Sequence, residues 1–149
     1  MVNKLLSVKR SIIILCAVAF CLLPAFTIPV AAQDYVVVVN KNLGISNISS
    51  SDLEAVFTGK KIFWDSGEKV VFAVFDDPDL QSSFFKQHVH KTPSQFNSYW
   101  KKMVFTGKAN MPEYLKTSDE VMSFVSSHPG GISFIPAPGS NKVKILNIN

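Results

Sequence analysis

A chain of 149 residues can fold as one domain around a single core and is too short for two lobes of ordinary size. Its formal net charge of +4 rests on Lys4, Lys9 and Arg10; set aside, they leave 12 lysines against 11 acidic residues, a balance of +1 that excludes nucleic-acid binding through bulk charge. Arg10 is the sole arginine, so the rest of the chain has no guanidinium with which to fork a phosphate or carboxylate.

Those three cations precede an uncharged apolar run from Ile12 to about Phe26, and Val30-Ala31-Ala32 follows with the small residues of a cleavage site. The pattern predicts a secretory signal peptide over residues 1–32 and one exported domain over 33–149, periplasmic or secreted. The apolar core of roughly 15 residues is short of the ~20 needed to span a bilayer, so no membrane insertion is expected after cleavage. Cys16 and Cys21 both fall in the signal, which leaves the domain without a disulfide or a thiol for chemistry.

Tyr35-Val36-Val37-Val38-Val39-Asn40 is β-branched without polar alternation, as in a strand buried on both faces at the sheet centre. Ser51-Asp52-Leu53-Glu54 reads as a capping box opening a short helix that ends at Gly59. The apolar run Val70 to Phe75 predicts a buried strand that passes directly onto a helix, with Asp77 as N-cap, Pro78 at the first helical position and the end near His90. Thr92-Pro93-Ser94-Gln95 opens another helix carrying Phe96, Tyr99, Trp100, Met103 and Val104 at helical spacing up to Gly107. Residues from Ala109 to Leu115 read as loop or a short edge strand, and Thr117-Ser118-Asp119-Glu120 opens a helix with Val121, Met122, Phe124 and Val125 inward. Two strands follow, Ile132 to Pro136 and Val143 to Ile148, joined by a Pro/Gly/Ser/Asn turn. Alternating strands and helices predict an α/β fold with a mixed, mostly parallel sheet flanked by helices, with room for an antiparallel last strand.

Few groups here suit chemistry. Asp76, Asp77 and Asp79 crowd the turn after the Val70 strand, where helix N–H groups favour anions; the carboxylates repel them, and a cap with charge–dipole contacts accounts for them better than a cation does. His88 and His90, two apart, point different ways on a helix, so a shared metal is not expected. No serine sits in a Gly-x-Ser-x-Gly elbow, and no nucleophile, base and orienter assemble; neither catalysis nor a cofactor is predicted. Val56-Phe57-Thr58-Gly59-Lys60 recurs as Val104-Phe105-Thr106-Gly107-Lys108. Two similar helix stops, each with an aromatic anchoring the last turn, explain the repeat more economically than a paired binding loop.

Val37-Val38-Val39-Asn40 with Ile45, Ser51 through Lys61 and Trp64 resembles the second lobe of phosphate ABC transporter substrate-binding proteins, in the type 2 periplasmic-binding-protein superfamily. Thr92 to Phe96, Tyr99-Trp100, Val104 to Lys108 and Pro129 to Ile135 are similar to its short, single-lobe relatives. The resemblance implies a single periplasmic-binding-protein-like lobe that binds solute, with phosphate held by a Ser-Gly-Thr-like turn at a helix N-terminus and by an arginine. The matching positions are Asp79, Leu80, Gln81 and Ser82, without glycine, threonine or arginine. The candidate ligand-binding residues are therefore Asp79, Gln81, Ser82 and Ser83, in a site degenerate for phosphate. The expected partner is a small solute at this turn or, on a second reading, an envelope protein that the scaffold engages without any solute.

Overall fold

A computed structural model describes residues 34–137 and 142–149. The signal peptide expected over 1–32 lies outside the described residues, as does the Pro138-Gly139-Ser140-Asn141 part of the last turn. Six strands form one sheet: β1 (Tyr35–Val39), β2 (Asn47–Ile48), β3 (Val71–Phe75), β4 (Glu113–Leu115), β5 (Gly131–Pro136) and β6 (Lys144–Ile148). Their spatial order is β2-β6-β1-β5-β3-β4. β3 pairs in parallel with β4 and β5, and β2 with β6, whereas β1 runs antiparallel to both its neighbours, β5 and β6. The strand opposed to all the rest is thus the first, not the last. Sequence cannot assign that direction, because an apolar run reads the same both ways.

Helices cover both faces. α1 (Ser50–Phe57), α2 (Pro78–Phe84), a π-helical turn (Phe85–Val89) and α3 (Pro93–Phe105) send Phe57, Phe84, Phe85 and Trp100 to the face that carries Tyr35, Phe72 and Phe134. On the other face α4 (Ser118–Ser127) buries Val121, Met122 and Val125. Phe124 is only half-buried, where an inward position was expected. Asn40, buried just past β1, fixes this helix: its amide donates to the carbonyls of Val125, Ser126 and His128 at 2.9–3.0 Å, satisfying carbonyls that the helix end itself leaves without an intrahelical donor.

The caps follow the sequence with one displacement. Thr92 and Thr117 each make the reciprocal capping box with Gln95 and Glu120. In α1, however, the N-cap is Ser49 rather than Ser51: its Oγ accepts from Asp52 N and donates to Asp52 Oδ2, both at 3.0 Å. Three successive serines offer three caps, and packing selects the one that buries Leu53, Val56 and Phe57. β2 has only two residues and carries too little pattern to be read from sequence.

The helix expected from Pro78 to His90 is α-helical for seven residues and π-helical for five. The wider turn brings Phe84, Phe85, His88 and Val89 all inward. Phe84 stacks on Phe134 (centroids 4.1 Å, 12° between planes) and Phe85 on Phe96 (4.2 Å, 19°). His90 closes the segment in the left-handed region at φ 54°.

Close approach fixes the start of β3. A Cβ on Gly130 would stand 2.1 Å from the Lys69 carbonyl oxygen, and the Gly130 carbonyl accepts from both Val71 N (3.2 Å) and Trp64 Nε1 (3.0 Å). Gly130→Ala must therefore push backbone from backbone; we expect a loss of about 2–4 kcal/mol in urea unfolding, with Ala at exposed Gly44, where an added Cβ meets nothing within 4 Å, as the mild control.

His88 is buried with Nε2 unpartnered, and Nδ1 reaches only Ser50 Oγ at 3.5 Å. Burial, with His90 nearby, holds the imidazole below its ordinary value. The folded state thus keeps His88 neutral where the unfolded chain takes up a proton. Its contribution is complete above the unfolded pKa of about 6.5 and is lost as pH falls from there through the lowered folded value. We expect unfolding free energy to drop by up to ~1.4 kcal/mol per pH unit in that window, and His88→Leu to flatten the profile.

Candidate functional site

The predicted ligand turn lies at the carboxyl end of β3, where the chain enters α2. Asp77 is the N-cap and Pro78 takes the first helical position, as the sequence indicates. Asp77 Oδ1 accepts from Asp79 N at 3.0 Å and from Leu80 N at 2.9 Å. The first-turn donors that would face an external oxyanion thus already face a carboxylate of the chain itself.

The four candidate residues divide. Asp79, Ser82 and Ser83 are exposed and make no side-chain hydrogen bond among the described residues. Gln81 is buried instead, and its Nε2 donates to the Phe75 carbonyl at 3.0 Å, tying the helix back to the strand it follows. The turn therefore brings together one carboxylate and two hydroxyls at the surface. Asp76 donates its backbone N–H to Leu115 O at 2.7 Å, which leaves its exposed carboxylate beside β4. Among the described residues no group of three His, Cys, Asp or Glu side chains is placed to hold a metal. His88 is buried and His90 exposed, so the two do face apart.

A concavity of about 800 Å³ opens at the opposite end of β3. Pairing of β4 with β3 begins only at Ala73↔Glu113, so among the described residues no strand pairs with Val71 and Phe72 on this side, while just before them Lys69 bridges Phe63 and Val70 N–H donates to the Ile62 carbonyl at 3.0 Å. Val56, Phe72, Trp100, Met103 and Phe124 contribute its apolar lining; Ile62, Val104 and Met111 are exposed apolar side chains of the same groove. Lys61, Lys69 and Lys108 bring positive charge, and Glu113 is the one acid that lines it. Lys61 is held by Asp52 (3.1 Å) and Asp65 (3.3 Å); burial pulls its ammonium down, but these bonds prevail and raise it. Among the described residues Lys69 and Lys108 are in no ion pair.

Both copies of the repeated pentapeptide reach this groove. Their backbones are twin helix stops: Gly59 and Gly107 adopt φ 69° and 68°, and Thr58 and Thr106 return hydrogen bonds to the carbonyls four residues back. The side chains differ. Phe57 is buried, and Trp100 and Tyr99 of α3 donate to the carbonyls of Phe57 (3.1 Å) and Thr58 (2.7 Å). Phe105 is 93% exposed and anchors nothing, contrary to the expectation. The sequence held a signal for this: Phe96, Trp100 and Met103 share a helix face, and Phe105 falls about 140° away from Trp100.

No protein-family model and no curated protein matches the chain. Solved structures do. A protein described as a phosphate ABC transporter substrate-binding protein, from Clostridium perfringens and with bound phosphate, superposes with a TM-score of 0.59 at 14% identity, over 77% of this chain and 44% of that one. An ABC-type phosphate transport receptor from Vibrio cholerae gives 0.52 at 12% identity, over 77% and 46%. PstS from Borrelia burgdorferi gives 0.50 at 17% identity, over 78% and 47%.

The cap is testable apart from any ligand. Asp77→Ala is expected to cost about 1 kcal/mol in urea denaturation, while Asp77→Asn, which still caps, stays within a few tenths of the parent. The chain thus shares its α/β fold with part of each of these three proteins, and it spans less than half the length of each of them.

Proposed function

We propose that this chain is an exported periplasmic module built on the phosphate-type solute-binding scaffold, with a binding role rather than a catalytic one, and that its oxyanion turn is degenerate. The observation that carries the reading is the Asp77 carboxylate bonded to the first-turn N–H groups of α2. At ~4 Å, two like unit charges repel by about 1 kcal/mol in water and about 4 kcal/mol at an effective dielectric near 20. A phosphate entering here would have to displace a covalently tethered competitor and sit beside Asp76 and Asp79. A solute held at this turn would meet the Asp79 carboxylate and the hydroxyls of Ser82 and Ser83, while Gln81 stays committed to Phe75 O.

The exposed apolar groove at the far end of β3 favours a second reading, an accessory module that engages an envelope protein and holds no small molecule. A thermal-shift series with phosphate, sulfate, small carboxylates and divalent cations separates the two. A true ligand at a hundredfold excess over its dissociation constant stabilises by roughly 2.7 kcal/mol. Phosphate is expected to leave the melting temperature unchanged. A phosphate-dependent rise that Ser82→Ala with Ser83→Ala abolishes would refute the degenerate turn.

A further inference from the structure

Of the six large apolar side chains that stand exposed among the described residues, five belong to the groove or directly adjoin its lining: Ile62, Phe63, Val104, Phe105 and Met111. Such a concentration is not the scattered exposure of an ordinary surface. Its charge is mainly positive. Lys69 and Lys108 line the groove without an ion-pair partner among the described residues, and Glu113 is the one acid in its lining.

We propose that the groove between the ends of α1 and α3 docks an acidic amphipathic segment of a partner protein, its apolar residues entering between Ile62, Val104 and Met111 while its carboxylates pair with Lys69 and Lys108. This deepens the accessory-module reading and rests on it. Three alternatives fit less well. A second copy docked about a two-fold axis would set the lysines of one groove against those of the other. Residues 1–32 of this chain carry Lys4, Lys9 and Arg10 and no acid, so they repeat the groove's charge rather than complement it. A bilayer is a flat solvent, whereas the groove beside the start of β3 is a concavity of about 800 Å³ whose lining includes Trp100 and Phe124. A helix or extended strand with apolar residues on one side fills such a groove, and flanking acids set its register.

Residues 33–149, immobilised, would be panned against a phage-displayed library of random linear peptides, and an enriched peptide resynthesised for anisotropy titration. Enriched sequences are expected to combine apolar anchors with Asp or Glu, to bind more weakly at raised ionic strength, and to lose about tenfold in affinity with Lys69→Glu plus Lys108→Glu. Val104→Glu with Met111→Glu should abolish binding; both pairs alter exposed side chains, and an unchanged melting temperature certifies the fold. Enrichment without acids, or binding indifferent to the lysine reversals, overturns the acidic partner and leaves the accessory reading standing. No enrichment at all overturns both. Concentration-dependent self-association abolished by Val104→Glu, or capture by phosphatidylglycerol vesicles that depends on Phe105, overturns the proposal in favour of a second copy or a membrane surface.

Discussion

The stacking of Phe84 on Phe134 is the contact on which the arrangement turns. Phe134 lies on β5, paired with β1 on one side and β3 on the other, so a ring seated on it locates α2 over the middle of the sheet. Phe57 of α1 packs against the same two rings at 4.8 and 6.1 Å, which fixes a second helix by the same plane. Truncating such a ring in a close-packed core costs about 3–5 kcal/mol, a large share of a small domain's margin. Holding Phe84 there leaves the next residue, also phenylalanine, turned partly away in a regular α-helix. The π turn admits Phe85 as well, and carries His88 into the core with it. The orphaned imidazole is thus a cost of seating two adjacent aromatics.

The same placement governs the turn before α2. With the helix held over β5, it must begin within two residues of the end of β3, and Asp77-Pro78 starts it at once. Gln81, one turn later, spends its amide on the strand's last carbonyl. This end of the sheet is stitched to itself.

Much of this was legible in the sequence because it is local. Asp77-Pro78, the two Thr capping boxes and the glycine stops are decided within four or five residues, and the structure places them as read. What could not be read depends on partners distant along the chain. The direction of β1 is settled by β5 and β6, about a hundred residues on. The choice of Ser49 over Ser51 is settled by which register buries Leu53 and Phe57. The repeated pentapeptide is the clearest instance. Its two copies have one backbone and opposite fates, because Trp100 and Tyr99 are there to receive the first and no element follows to cover the second. The groove was hidden for the same reason: Ile62 and Lys69 lie in one loop and Lys108 and Met111 in another, more than thirty residues on, and the two line one groove only in the folded chain.

The brevity of the two edge strands has a further effect. β2 offers two residues to a neighbour and β4 three, with Pro112 just before and the charged side chain of Glu113 at its first position. Runs that short are poor templates for another chain's backbone. A lobe that displays a greasy cleft to water is thereby denied the usual route to fibrils, and can keep its apolar side on offer while remaining dispersed.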